Sequence, residues 1–312
     1  MRIKQFLIAV GIGTMLAACS SRDDYSSTDD NVIRLSAGIQ PLTTKAVGDN
    51  TINQRILSEG ETTRVYIYDN VTSNKVSGLG SDGSIYTSQD PNAILKSTDS
   101  PLYPENGNGV NLTAVYPSSV TSTTSVFEVY FDQSDDNGYR NSDLLNAVVV
   151  NHKKSDGIAK LNYEHLLSKV IIKIDPGTSG LDVTQIRSAS MYVAHRAVPL
   201  QYSQSEGWML GTITEAETEK EVILANNTPY TNAGWAAIVP PQTIPVGYEL
   251  LYFSLNDVAY HFLLETPLEL LPKHVYTFTF TINNEKLNFM GHSISNWEEG
   301  TGDNFDIGPY WF

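Results

Sequence analysis

The apolar residues of this chain recur mainly at every second position, which is the pattern of a β-strand with one buried face. The first such run places apolar residues at Ile33, Leu35, Ala37 and Ile39. Other alternating or β-branched runs lie at 64–68, 110–116, 126–131, 169–174, 191–194, 221–224, 236–239, 249–255, 258–264, 275–282 and 286–290. The pattern therefore predicts an all-β chain.

Turn-forming segments separate these runs. They are SDG at 81–83, NGNG at 106–109, NG at 137–138 and DPGT at 175–178. Short helices are expected only near 92–96 and 141–145, so the strands follow one another without the crossover helices of a parallel sheet. We expect antiparallel β-sandwiches, with DPGT marking the boundary between an N-terminal domain (32–175) and a C-terminal domain (176–312).

The first 18 residues have the composition of an export signal. Arg2 and Lys4 precede an apolar run of thirteen residues at 6–18, whereas a membrane-spanning helix needs roughly 20. The run ends in Leu-Ala-Ala before Cys19, and this ending resembles a bacterial lipobox. We expect cleavage of the signal peptide between Ala18 and Cys19 and attachment of lipid to Cys19. The alternative is ordinary secretion with a spare thiol.

Residues 19–31 are polar and charged, and they are predicted to form a solvated tether. Asp23 and Asp24, so close to Cys19, resemble the signal that sends some Gram-negative lipoproteins to the outer leaflet. A plain linker explains the same residues equally well.

The charge of the chain disfavours some classes of partner. There are 20 basic and 35 acidic residues, a formal net charge of −15 that becomes about −17 without residues 1–18. Such a charge disfavours nucleic acid and anionic membrane surfaces as partners. Because Cys19 is the only cysteine, we expect stability to come from packing and hydrogen bonds rather than disulfides.

Patterns typical of catalysis or of cofactor binding are lacking in the sequence. Six histidines are scattered at 152, 165, 195, 261, 274 and 292, without the close spacing of a metal site on one element. There is no Gly-x-Ser-x-Gly turn and no Gly-rich phosphate loop before a helix. The acidic residues at 298, 299, 303 and 306 lie in a Gly-rich tail, which cannot hold two carboxylates at a set separation. We therefore expect neither an enzyme nor a cofactor.

Two binding hypotheses have weaker support. The first, third, fifth and twelfth positions of a calcium loop are matched by Asp132, Ser134, Asp136 and Asp143. Asn137 stands where that loop needs glycine, so a solvated loop is the favoured alternative. Aromatic residues that could stack on sugar rings are Tyr202, Trp208, Tyr230 and Trp235. Aromatic residues in a β-protein are more often part of the core.

Several segments together resemble the fimbrillin family, the lipoprotein-derived pilins and accessory subunits of protease-assembled (type V) fimbriae. In the first half they are RVYIYD at 64–69, LTAVYP at 112–117, DLLNA at 143–147 and LNYEHLLSKV at 161–170. In the second half they are AIVPPQTIP at 237–245, the segment 270–279 ending in YTFT, and ISNW at 294–297. Their order and spacing extend over nearly the whole chain that follows the lipobox.

The resemblance implies two β-sandwich domains of transthyretin-like topology and assembly by strand exchange. A trypsin-like protease removes the first strand of such a subunit together with the lipid, and a strand from another subunit fills the exposed groove. Here the displaced strand would lie within residues 32–45 and carry Ile33, Leu35, Ala37 and Ile39. Family pilins are usually cut after arginine, whereas this chain has Lys45 before Ala46 at that place. Arg55 is a second candidate for cleavage, and Arg34 is a poorer one.

The C-terminal residues offer a possible donor strand. In the tail 300–312, Phe305, Ile307 and Trp311 alternate with polar residues or glycine, and Pro309 removes one ladder donor. Pairing of the tail with an edge of its own subunit is a rival interpretation. A tip subunit, which need not donate a strand, would also explain such a tail.

The resulting hypothesis is a structural or tip subunit of cell-surface fimbriae that serves adhesion. Its precursor would be anchored in the outer membrane by lipid, and its partners would be other subunits, a trypsin-like maturation protease and a host protein or glycan. The alternatives are a fimbrial anchor that keeps its lipid and a non-polymerising surface lipoprotein that binds glycans.

Overall fold

The computed structural model describes residues 31–38, 57, 59–89, 94–177, 180–186, 188–214, 220–225, 234–283, 286–297 and 302–303. In chain order the strands of the first half are β1 (Leu35–Gly38), β2 (Thr62–Asp69), β3 (Ser84–Gln89), β4 (Ile94–Lys96), β5 (Val110–Tyr116), β6 (Val126–Glu128), β7 (Leu145–His152), β8 (Ala159–Asn162), β9 (Glu164–His165) and β10 (Ser168–Asp175).

The second half continues with twelve more strands in the described residues. They are β11 (Ala189–Val193), β12 (Ala197–Ser203), β13 (Gly207–Leu210), β14 (Glu221–Ala225), β15 (Gly234–Val239), β16 (Gln242–Ile244), β17 (Glu249–Leu255), β18 (Val258–Leu263), β19 (Leu268–Leu270), β20 (His274–Asn283), β21 (Lys286–Asn296) and β22 (Gly302–Asp303). The helical elements are the α-helix α1 (Asp136–Asn141) and two 3₁₀ turns, Lys154–Asp156 and Val183–Gln185.

The strands form one large sheet in the first half and smaller sheets in the second. The large sheet has eight strands in the order β8-β1-β4-β3-β2-β5-β7-β9. The others have the orders β15-β10-β20-β21-β22, β14-β11-β17-β18, β13-β12-β6 and β16-β19. Nearly all neighbours are antiparallel, and the parallel pairs are β1 with β8 and β10 with β20. The all-β prediction is confirmed, whereas the transthyretin-like topology remains a prediction.

Two apolar cores lie on opposite faces of the large sheet. The smaller core contains Ile33, Leu35, Ala37, Leu57, Val65, Ile67, Val76, Tyr86, Leu95, Tyr103, Val110, Leu112, Ala114, Tyr116, Leu145, Ala147, Ala159, Leu161 and Tyr163. The larger core begins with Tyr66 and Tyr68 on the other face of β2 and extends through the second-half strands to Trp297. Successive side chains of β2 therefore point alternately into the two cores.

Pairing of β10 bears on the predicted boundary at Asp175. This strand pairs with β15 and β20, both from the second half. A division after Asp175 would separate β10 from the sheet that it belongs to, so a boundary before Ser168 suits the pairing better. The division into two domains stays a prediction.

The predicted positions of the two helices are wrong. Residues 94–96 form strand β4, because β1 and β3 pair with it on both sides and outweigh its weak local preference. The helix expected at 141–145 lies earlier, as α1, because the Asp135 carboxylate accepts a hydrogen bond from the backbone N–H of Gly138 at 2.7 Å and caps it. Among the residues that the structure describes, no helix is long and apolar enough to span a membrane.

Candidate functional site

The first strand, β1, lies in the interior of the large sheet. It pairs antiparallel with β4, where Leu35 faces Leu95, and parallel with β8, where Leu35 faces Ala159. Both of its hydrogen-bonding edges are therefore paired. We call the space between β4 and β8 that β1 fills the β1 groove.

The alternation of β1 decides which side chains the groove holds. Ile33, Leu35 and Ala37 are 2%, 1% and 6% exposed and belong to the smaller core. Arg34 and Ser36 point the other way and are partly exposed. The groove is thus lined to take a strand with apolar residues at alternate positions.

Hydrogen bonds also hold the residues just before β1. The N–H of Ile33 donates to the C=O of Pro101 at 2.8 Å, and the N–H of Ala159 donates to the C=O of Arg34 at 2.8 Å. Asn31 accepts from the N–H of Tyr103 at 3.0 Å and donates its side-chain amide back to the C=O of Tyr103 at 3.0 Å. Loss of the strand would leave these groups, and the facing edges of β4 and β8, without partners.

Two neutral phenols, Tyr103 and Tyr163, belong to the same core as the apolar side chains of the groove. Burial raises the pKa of Tyr103 to about 12, and burial also raises the pKa of Tyr163, whose hydroxyl lies 2.7 Å from that of Thr63. Neither group ionises near neutral pH. The groove therefore offers apolar surface and backbone hydrogen bonds and, among these side chains, no charge.

Most of the other predicted site residues lie outside the described residues. These are Ala18, Cys19, Ile39, Lys45, Ala46, Arg55, Tyr230, Phe305, Ile307 and Trp311. The chain is described again from Leu57, which is 2% exposed and whose C=O accepts a hydrogen bond from Ser88 at 2.9 Å. Lys45 and Arg55 thus belong to the connection between β1 and β2.

Two of the four aromatic residues proposed for sugar stacking are buried and a third is half-buried, which corrects that hypothesis for these three. Trp208 and Trp235 are 1% and 2% exposed and belong to the larger core. Tyr202 packs against Trp208 at 4.6 Å between ring centroids, and its hydroxyl lies 3.1 Å from that of Tyr68. A cleft of about 490 Å³ beside Trp208 is lined by Lys273 and Glu164, which form an ion pair at 2.6 Å.

The residues of the calcium-loop spacing do not converge either. Asp132 accepts hydrogen bonds from the backbone and hydroxyl of Ser134, whereas Asp143 is buried and its Oδ1 lies 2.8 Å from Nδ1 of His165. No cluster of three or more His, Cys, Asp or Glu suited to a metal occurs among the described residues.

Three of the quoted segments converge on one buried cluster, which sequence reasoning did not identify. Asp143 of DLLNA and His165 of LNYEHLLSKV form the buried pair, and Trp297 of ISNW stacks on His165 at 3.9 Å between centroids. The ammonium of Lys169, also buried, lies 5.6 Å from the centre of the Trp297 ring. This junction cluster joins the large sheet to the end of β21.

Comparisons with known proteins agree with the sequence resemblance. The family model described as fimbrillin-like matches residues 44–297. A search of curated proteins found no significant match.

Two solved structures share the fold, and a third is similar to a lesser degree. A candidate cell adhesion protein of Bacteroides uniformis is 17% identical, with a TM-score of 0.62 over 86% of this chain and 100% of the other. A candidate cell adhesion protein of Bacteroides ovatus is 16% identical, with a TM-score of 0.64 over 85% of this chain and 97% of the other. The tip fimbrial protein Mfa3 of Porphyromonas gingivalis, with a C-terminal truncation, is 11% identical, with a TM-score of 0.46 over 85% and 98%.

Proposed function

The chain belongs to the fimbrillin-like family, and on that premise we propose that it is a non-enzymatic subunit of cell-surface fimbriae that assembles by exchange of its first strand. Lipid on Cys19 anchors the precursor to the outer membrane. A trypsin-like protease then cuts between β1 and β2, and a strand from another subunit takes the place of β1 in adhesive fibres.

The observation that carries this proposal is the position of β1. It is an interior strand, yet it is also the first strand of the described chain. A single segment, between β1 and β2, therefore links it to the other described strands. The basic residues of that connection, residues 39–61, are Lys45 and Arg55. One cut there separates β1 and Cys19 covalently from every other strand that the structure describes.

The physics of exchange is β-augmentation. An empty β1 groove exposes Leu95, Ala159 and Leu161 of the smaller core together with two unpaired strand edges. An incoming strand with apolar residues at alternate positions covers these side chains and forms hydrogen bonds with both strand edges. Because the outgoing strand offers the same groups, exchange needs an excess of donor or a donor that fits better.

Limited trypsin digestion of the full-length precursor tests the proposal. We expect a product that begins at Ala46 or Ile56 and forms oligomers in size-exclusion chromatography. The variant Lys45→Gln with Arg55→Gln should remain uncut there and monomeric, whereas Lys160→Gln, a matched surface change on β8, should behave like the wild type. A cut product that stays monomeric and keeps its fold contradicts strand exchange.

A competing peptide makes the test specific for the groove. Excess peptide with the sequence of residues 31–39 should suppress oligomers of the cut protein, and the same peptide with Leu35→Asp should not. Mass spectrometry of the N-terminus of the cell-surface form then separates two roles. A start at Ala46 or Ile56 supports a polymerised subunit, and a lipidated Cys19 indicates an anchor that keeps its first strand.

A further inference from the structure

Among the described residues, the last long strand, β21, has an edge that no strand pairs with along most of its length. It pairs with β20 throughout, but on its other side β22 covers only Ile294 and Ser295. No strand in the described part of the chain pairs with residues 286–293 on that side. Such an edge is a template for a further strand.

Half-buried apolar side chains line this edge. The edge row consists of Leu287, Phe289, His292 and Ile294, which are neither buried nor fully exposed. The ring of Phe289 lies 5.3 Å from that of Phe262 on β18, and the ring of His292 stacks on Phe278 at 5.9 Å. Burial already lowers the pKa of His292. The edge row therefore packs against Phe262 and Phe278 on one side, and its other side is left partly exposed by the described residues.

The register of β22 sets where the following residues would lie. Asp303 pairs with Ile294 and Gly302 pairs with Ser295, antiparallel. Continuing this register puts Phe305 opposite His292, and residues directly opposite in an antiparallel pair share a face. Phe305 would therefore lie on the face of the edge row.

A bulge in β21 brings the next apolar residue into phase. Thr279 pairs with Gly291 and Phe280 with Phe289, so Met290 is the extra residue of the bulge. If Asp306 lies opposite Gly291, Ile307 comes beside Phe289. The nine residues after Asp303 are enough to follow the eight residues of β21 from 293 back to 286.

We propose that residues 304–309 continue β22 along the open edge of β21 and place Phe305 and Ile307 over the edge row of the same subunit. Pro309 then lies near Leu287 at the end of the ladder, on an edge strand, where a missing donor is tolerated. The occupant is the tail of the chain itself, since β22 already delivers it to this edge in the required direction.

This docking has a consequence for assembly, which rests on the proposed function. A tail held on its own β21 is not available to fill the β1 groove of a neighbour. If the tail is the donor, it leaves its own β21 as it enters the emptied β1 groove of a neighbour, so cleavage alone still yields oligomers. The docking itself does not depend on fimbrial assembly.

Engineered disulfides in the full chain test the register, in a Cys19→Ser background that has no other cysteine. The pair His292→Cys with Phe305→Cys should oxidise within the monomer. Its positive control is Ile294→Cys with Asp303→Cys, two residues further along the same ladder and therefore of the same pair type. The off-register pair His292→Cys with Asn304→Cys, on opposite faces, should oxidise at least tenfold more slowly.

Two outcomes overturn the proposal. If the positive control oxidises and the 292–305 pair does not, the tail leaves β21 after Asp303. If the 292–305 pair oxidises only between molecules, a second copy covers the edge. Circular dichroism of each reduced variant verifies folding, and failure of trypsin-induced oligomers leaves this result untouched.

A second measurement needs no cysteine. The double substitution Phe305→Ala with Ile307→Ala should uncover the edge row and raise the fluorescence of a bound hydrophobic dye several-fold. Asp306→Ala, whose side chain faces away, should leave it unchanged. Equal dye binding by both variants and the wild type contradicts docking of the tail.

Discussion

The β1 groove and the open edge of β21 are both places where a strand can be added, but they differ in how much the added strand satisfies. In the groove β1 pairs on two sides and, together with Ile33 just before it, buries three apolar side chains almost completely. At β21 an added strand pairs on one side and covers a row that is already half buried.

The difference teaches that an interior strand and an edge strand suit different tasks. Full burial of a side chain such as Ile33 or Leu35 contributes about 1.5–3 kcal/mol, and the two ladders add to that. A strand held so firmly can form a stable contact between subunits once it has been exchanged. A strand paired on one edge, with half the contacts, can shield the edge row and dissociate again.

The largest expected effect comes from shortening Leu35 in the β1 groove. Leu35 is 1% exposed, so Leu35→Ala leaves a cavity and should lower the free energy of unfolding by about 2–5 kcal/mol. Urea denaturation measures the change. Ser36→Ala, whose side chain faces the other way, should stay within about 0.5 kcal/mol of the wild type. Equal losses from both substitutions would show that β1 is not the strand in the groove.

That prediction uses the part of the fold that the sequence predicts best. Strict alternation at Ile33, Leu35 and Ala37 indicated a one-faced strand, and the three side chains are buried. Strands β3 and β12 were missed, because SIYTSQ carries few large apolar residues and Pro199 interrupts AVPLQYS. Their stability comes from neighbouring strands, which local patterns do not contain.

The candidate site was less predictable, because it depends on contacts distant in sequence. Alternation in β1 does not reveal that β4 and β8 flank it, since strand order is set by the whole sheet. The same holds for the junction cluster, whose members come from three separate segments and meet only in the folded chain. Trp208 and Trp235 were ambiguous because an aromatic residue suits a core and a binding face equally well.

The junction cluster connects the two regions, and its loss should have the second largest effect. His165→Ala removes the ring that pairs with the buried Asp143 and stacks on Trp297, which should cost about 1–3 kcal/mol of the free energy of unfolding. His261→Ala is the control, because His261 pairs with Glu249 at an exposed site, where such a pair contributes at most about 1 kcal/mol. If both variants unfold alike, the cluster does not couple the sheets.

A smaller loss is expected at the edge row. Phe289 is only half buried, so Phe289→Ala should cost about 1–2 kcal/mol, less than the 3–5 kcal/mol typical of a fully buried phenylalanine. Met290→Ala, at a position 63% exposed, should have almost no effect. When Phe289→Ala is combined with the double substitution Phe305→Ala and Ile307→Ala, the loss of unfolding free energy should differ from the sum of the separate losses by at least about 0.5 kcal/mol. Additive losses in thermal unfolding would argue against contact between tail and edge.

The smallest effect concerns pH at the edge row. Burial lowers the pKa of His292 below its ordinary value of 6.5, so below about pH 6.5 the unfolded chain takes up this proton before the folded chain does. Its contribution to stability is therefore present at neutral pH and declines as the pH falls toward the folded pKa.

His292→Asn should remove that part of the decline in melting temperature between pH 7 and pH 5, relative to the wild type. The Phe305→Ala and Ile307→Ala variant should weaken it, because an uncovered His292 is better hydrated, and its imidazole NMR titration should move toward 6.5. An unchanged titration would show that the edge row of β21, unlike the groove of β1, carries no strand in the free subunit.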